Sequence, residues 1–178
     1  MIIIPSKYNF YFIEDDELYF FGEWTGTNHI SLTISEPKYG DMSRKINLGT
    51  MQKYIHEITY IKITYDIAII IVNGNVFMNG QTIVLNDSAE LSHKIKFNDW
   101  TKIKFPQQIS QIHHDAFNRA IIDQYGKLYF YGKIVYSDAE SEYIFDDIRE
   151  VQCDDEIIDM NLYYNFVITN KNQLLHIY

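Results

Sequence analysis

Cysteine is almost missing from this chain: Cys153 stands alone. No disulfide can form within one chain, which fits a reducing, intracellular setting. Basic residues are also scarce, 15 Lys and Arg against 24 Asp and Glu, for a net charge of −9. Such a chain is repelled by phosphate backbones unless it segregates a basic patch. The best candidate patch is Lys94, Lys96, Lys102 and Lys104, interrupted by Asp99. A solvated edge strand accounts for it, so nucleic acid is not expected as a direct ligand. Long hydrophobic runs are lacking too. The longest, Ile67 to Val72, is too short to cross a bilayer. The opening Met1-Ile2-Ile3-Ile4-Pro5 is too short for a signal peptide and has no basic segment before it. The expectation is a soluble protein of the cytoplasm or nucleus, with no membrane partner. No Gly-rich stretch cradles a phosphate; five of the eight glycines fall in the turns or at the ends of hairpins.

What the chain has in excess is strand-forming residues. Its 178 residues are 47% hydrophobic and 22% charged, a globular composition. Aromatics reach 16%, with 15 Tyr and 11 Phe, and isoleucine is abundant. That bias favours strands, and no helical apolar period runs far enough for a long amphipathic helix.

Four segments repeat one pattern: an apolar strand, a short polar turn and a second apolar strand. They are Tyr8 to Gly22, Asp66 to Gly80, Asn118 to Gly132 and Tyr164 to Tyr178. Their turns are Asp15-Asp16-Glu17, Asn73-Gly74-Asn75, Tyr125-Gly126-Lys127 and Lys171-Asn172-Gln173. Asn-Gly is a strong hairpin signal because both central residues of a type I′ turn need φ > 0. Gly126 meets the same need, and Asp16 and Asn172 tolerate left-handed geometry better than most residues. Aligning Leu18, Val76, Leu128 and Leu174 places apolar residues six positions earlier, at Phe12, Ile70, Ile122 and Ile168. Sixteen positions earlier stand Ile2, Tyr60, Ile112 and Ile158. An inner strand is therefore expected before each hairpin. The variable segments between repeats carry candidate outer strands, Ile30 to Ile34 and Lys94 to Phe97, and turns at Glu36 to Gly40 and Asn86 to Ser88.

A period of about fifty residues with three or four strands per unit has the size of a propeller blade. The third copy, with Pro106, Ile109, Ile112, Ala120-Ile121, Asp123, Gly126, Leu128-Tyr129 and Gly132, resembles the repeat of the regulator-of-chromosome-condensation (RCC1) family. The second resembles it at Ala68-Ile69, Asn73-Gly74, Val76-Phe77 and Gly80. The family's Gly and following His are replaced by Pro5 and Tyr8, Ile63 and Asp66, Asp115 and Asn118, and Asn161 and Tyr164. Its Trp-Gly reads Phe21-Gly22, Asn79-Gly80, Tyr131-Gly132 and Ile177-Tyr178. The resemblance implies an all-β fold of RCC1-like β-propeller blades, about four repeats in one domain, as a small, open or partial propeller. The repeats span approximately residues 1–53, 54–107, 108–150 and 151–178.

Catalytic chemistry finds no foothold. His113-His114-Asp115 has adjacent histidines, which point to opposite faces of a strand and do not converge on a metal. Cys153 has no neighbouring His or Lys in sequence to activate it. Asp146-Asp147 and Asp154-Asp155-Glu156 match no calcium loop and read as an acidic rim that steers a basic partner. Trp24, Tyr39 and Trp100 fall outside the repeated strands, where exposed aromatics anchor interfaces. The candidate interaction surface is thus Trp24, Tyr39, Trp100, Asp146, Asp147, Asp154 and Asp155. No enzyme, cofactor or metal is expected.

The functional expectation is a non-enzymatic protein–protein interaction module, a scaffold or subunit of a larger complex. Open blades leave bare strand edges, so a protein partner or a homodimer is expected to cover them. The alternative implied by the resemblance is a guanine-nucleotide exchange factor or regulator for a small GTPase, which works by differential binding and needs no side-chain chemistry.

Overall fold

The computed structural model describes residues 2–5, 10–21, 33–34, 43–64, 66–85, 91–114, 119–161 and 164–177. Trp24, Tyr39 and the two expected inter-repeat turns lie outside them, as does the start of the expected strand at 30–34. Strands dominate the described chain, with one 3-10 helix among the described residues. Two compact units divide it: Met1–Asn73 with Phe77–Thr82 and Ile95–Thr101, and Gly74–Val76 with Ile83–Lys94 and Lys102–Tyr178.

In the first unit, β1 (Ile2–Pro5), β2 (Phe10–Glu14), β3 (Glu17–Phe21), β4 (Thr33–Ile34) and β5 (Ser43–Asn47) form one sheet in the order β1-β2-β3-β5-β4. A 3-10 helix, Gly49–Glu57, follows. The Asn47 side-chain oxygen accepts the Gly49 N–H at 2.8 Å at its start, and its Met51 and Ile55 face inward. Then come β6 (Ile58–Ile63) and β7 (Ile67–Val72), which pair antiparallel. Every residue of β7 is buried, so the longest apolar run of the sequence is a strand covered on both faces. Beyond it run β8 (Asn75–Leu85) and β9 (Leu91–Lys104), whose middle stretches belong to this unit. Tyr11, Ile13, Leu18 and Phe20 of the first hairpin pack with Ile58, Ile61, Ile70 and Val72 of the second repeat in one core.

In the second unit, β10 (Ile109–His114), β11 (Arg119–Asp123) and β12 (Leu128–Phe130) form a meander. β13 (Lys133–Ser137) and β14 (Glu142–Asp146) make a hairpin, with β14 parallel to the end of β9 at Ile103 and Lys104. β15 (Arg149–Glu150) returns to the β12 edge, so the sheet order is β10-β11-β12-β15. The last sheet is β16 (Ile157–Asn161), β17 (Phe166–Thr169) and β18 (Leu174–His176). Ala120, Ile122 and Leu128 of the third repeat pack with Ile157, Met160 and Val167 of the fourth.

The turns explain the repeat. Asp15 and Asp16 have φ of 51° and 60°, and Asn73 and Gly74 have 49° and 74°. Both are two-residue hairpin loops with left-handed central residues. The third and fourth turns are longer. Gly126 N–H donates to Asp123 O at 3.1 Å and Asp123 N–H to Lys127 O at 3.0 Å. Asn172 and Thr169 repeat both bonds, to Thr169 O at 2.9 Å and Gln173 O at 3.0 Å. This difference shifts the columns. Ile122 pairs with Leu128 and Ile168 with Leu174, but Leu18 pairs with Ile13, while Phe12, which the sequence spacing aligns with Ile122 and Ile168, pairs with Tyr19. The inner strands precede each hairpin as expected, and three of them carry a bulge near the start, between Ile58 and Tyr60, Ile109 and Gln111, and Ile157 and Asp159.

Candidate functional site

The side of each hairpin that faces the chain following it can be traced through the repeats by strand register. In the first repeat it carries Ile13 and Leu18, and in the third Ile122 and Leu128. All four are buried: Leu18 and Leu128 are each 0% exposed. Val76, the counterpart in the second repeat, is buried as well. The fourth repeat breaks the pattern. Leu174 is 65% exposed and Ile168 opposite it 38%. Beside them Phe166 is half-buried and edge-on to the exposed His176 ring at 5.0 Å. The residues have the same chemistry as their counterparts but nothing among the described residues covers them to the same degree. Exposed large apolar side chains grouped on one face are the informative kind.

The turn carbonyls tell the same story. The left-handed residue of each of the first three turns presents its C=O to the chain that follows. Asp16 O accepts the Gln52 side-chain amide at 2.7 Å. Gly74 O accepts Ile109 N–H, and Gly126 O accepts Ile157 N–H, each at 2.8 Å. Asn172, with φ of 59°, holds this position in the fourth repeat and is exposed. The close approach also explains the two glycines. A Cβ on Gly74 would lie 2.5 Å from the Gln108 Cβ, and one on Gly126 2.0 Å from the Glu156 Cγ.

The residues singled out from sequence occupy other places. Trp100 lies in β9, half-buried against the first unit's core, and its indole N–H donates to Leu48 O at 2.8 Å. Asp146 ends β14, with its carboxylate 3.7 Å from Lys133 Nζ. Asp147 has φ of 51° and pairs with Arg149 at 3.0 Å. Asp154 is exposed, and Asp155 pairs with Lys171 at 2.5 Å. The Asp155 hydrogen bond holds the Lys171 amine above the ordinary lysine pKa. Three of the four carboxylates are therefore neutralised locally, which weakens the acidic rim as a steering surface. His114 is buried and hydrogen-bonds Tyr131 OH at 2.6 Å. Cys153 is half-buried against the second unit's core. Of the lysines, Lys94, Lys96, Lys102 and Lys104 are all exposed, and Lys104 is engaged by Glu140 and Glu142. Among the described residues no three metal-ligating side chains converge, and no helix is long and apolar enough to cross a membrane.

No protein-family description matches the chain, and no curated protein matches it. Solved structures do. Human WBSCR16, an RCC1-like protein, superposes with a TM-score of 0.50 at 14% identity, covering 89% of this chain and 41% of that one. Yeast RCC1 (Prp20), in its crystal structure bound to Kap60, gives a TM-score of 0.48 at 14% identity, covering 97% of this chain and 42% of that one. The chain spans about two fifths of the length of each. The likeness to WBSCR16 fits the fold described above, which is all-β and built from RCC1-like blades, and among the described residues no single sheet closes on itself.

Proposed function

We propose that this chain is a non-enzymatic protein-interaction module, acting as a subunit of a larger complex, and that its fourth repeat is the docking face. We take the four repeats as one functional domain. The observation that carries the reading is the exposure of Leu174 and Ile168 at positions where Leu18, Leu128, Ile13 and Ile122 are buried. A face already shaped to receive polypeptide, with apolar side chains in water, gains about 25 cal/mol per Å2 of apolar surface when covered. Edge strands left open in this way are recognition sites or aggregation hazards. The exposed Asp154 is a secondary candidate for the rim of that contact, and Trp24 and Tyr39 stay interaction candidates on their sequence alone.

The test is the solution mass of the chain with any co-purified partner, measured for wild type and for Leu174→Glu. The expected result is a defined complex that the substitution dissociates while the chain stays folded. A chain that is monomeric and partnerless under all conditions counts against the reading. So does a complex indifferent to Leu174.

A further inference from the structure

The third repeat shows what completes a blade in this chain. β15 pairs antiparallel on the β12 edge, with Tyr129 opposite Glu150 and Phe130 opposite Arg149. Val151 N–H then donates to Leu128 O at 2.8 Å. Val151 and Cys153 pack over the cluster that holds Ala120, Ile122 and Leu128. Finally Ile157 N–H reaches the Gly126 carbonyl. Residues 149–157 thus form a strap: an edge strand, two apolar side chains, and one amide placed on the turn.

The fourth repeat reproduces the receiving half of this interface. Its pairs Phe166 with His176 and Ile168 with Leu174 stand where Ala120 with Phe130 and Ile122 with Leu128 stand. Asn172 holds the left-handed place of Gly126. β18 lies at the edge of its sheet. The exposed face is therefore continuous in kind with an interface already built once within the same unit.

One receiving residue differs, and it differs in charge. Gln111, opposite Ile122, donates its side-chain amide to Ile158 O, in the bulge of the next inner strand, at 2.7 Å. Its counterpart opposite Ile168 is Asp159. Asp159 Oδ1 accepts the Met160 N–H at 2.8 Å, and a carboxylate has no proton to offer an incoming carbonyl. It repels that carbonyl and instead accepts from an ammonium or guanidinium group. An inner strand of this chain's own kind fits poorly there, which argues against a second copy. The net charge of −9 acts in the same direction.

We propose that the outward face of the fourth repeat binds an extended segment of a different protein. That segment adds as an antiparallel strand to β18, seats apolar side chains on Ile168 and Leu174, and sets a Lys or Arg against Asp159. This rests on the docking reading above and specifies its occupant and mode, which is strand addition with side-chain pockets.

Two synthetic peptides test it against the intact chain. One copies residues 149–160; the other carries Asp154→Lys, Asp155→Lys and Asp159→Lys. The basic peptide is expected to bind at least about tenfold more tightly at low salt, with the preference shrinking as salt rises. It is expected to protect the amides of residues 174–176 from hydrogen exchange. Leu174→Glu in the chain is expected to abolish binding, and Asp159→Gln to erase most of the preference. Equal binding of the two peptides, or protection away from β18, overturns the proposal. A wild-type dimer that Leu174→Glu makes monomeric also overturns it, while leaving the docking reading intact with a second copy as occupant. If neither peptide binds, strand addition is wrong, and the docking reading is then decided by the mass measurement already described.

Discussion

Alanine at Leu128 and at Leu174 removes the same side chain from the same position of two repeats, and the two losses should differ several-fold. Leu128 is 0% exposed and belongs to the second unit's core. Its truncation removes buried methyl groups and leaves a cavity that neighbours only partly fill, a cost of about 2–5 kcal/mol. Leu174 is 65% exposed, so about a third of its surface is out of water. With roughly 2 kcal/mol for complete burial, that fraction is worth about 0.7 kcal/mol, and water fills the vacated space. For a chain of this length the melting temperature falls by roughly 2–4 °C per kcal/mol, so the two variants should separate clearly. Urea midpoints measure the difference. Because the chain divides into two compact units, hydrogen exchange at the Ile122 and Val167 amides should follow the unit that holds both leucines. If Leu174→Ala costs as much as Leu128→Ala, the face is covered in the isolated chain and the docking argument fails. Adding a ligand that covers the face should raise the cost of Leu174→Ala and leave that of Leu128→Ala unchanged.

Gly126→Ala forces a left-handed alanine and sets its Cβ against Glu156; a loss of about 2–4 kcal/mol is expected from strain plus overpacking. Glu156→Ala in the same chain should recover at least about 1 kcal/mol, read as a non-additive urea midpoint. Gly80→Ala should be worse, beyond about 3 kcal/mol, because the new Cβ would meet the Asp66 carbonyl oxygen at 2.3 Å and backbone cannot swing aside. That carbonyl also accepts the Gln81 N–H at 2.6 Å; native expression level and thermal melts report the outcome. The Lys171 amine should titrate above the ordinary lysine range because Asp155 accepts its hydrogen bond, and Asp155→Asn should return it. The pair's contribution to stability is fully present below the unfolded lysine pKa and fades as pH rises through the raised folded value; NMR titration of Lys171 decides it.

The hairpins were legible because their determinants are local. A left-handed turn residue between two apolar strands is written in adjacent letters, and Asp16, Gly74, Gly126 and Asn172 all take positive φ. The inner strands were legible for the same reason, since each directly precedes its hairpin. The exact columns were less so. Ile13 replaces Phe12 at the hairpin position because the first turn is shorter than the third, and loop length changes register without changing the apolar character of the letters. The 3-10 helix at Gly49–Glu57 was also hidden. Its inward residues Met51 and Ile55 show no sustained period, and its packing on the first hairpin comes from tertiary contact, not from propensity.

The proposed docking face was illegible for a different reason. Leu128 and Leu174 are the same residue in the same motif, so no local rule tells a covered leucine from a bare one. Sequence reasoning looked instead to loop aromatics and acidic pairs. The structure engages Trp100 with Leu48, and Asp146, Asp147 and Asp155 with basic neighbours. A residue satisfied by its own chain has less to offer a partner than one that is not. The signal that was present in the letters is the change from Gln111 to Asp159, a neutral amide to a carboxylate at one repeat position. It becomes visible only when the bulges of β10 and β16 are aligned, since both residues sit just after the point where the register shifts. In a repeat protein, the copy that departs from the others in exposure or charge is the candidate for a binding face. The fourth repeat here departs in both, on the same side of the same sheet.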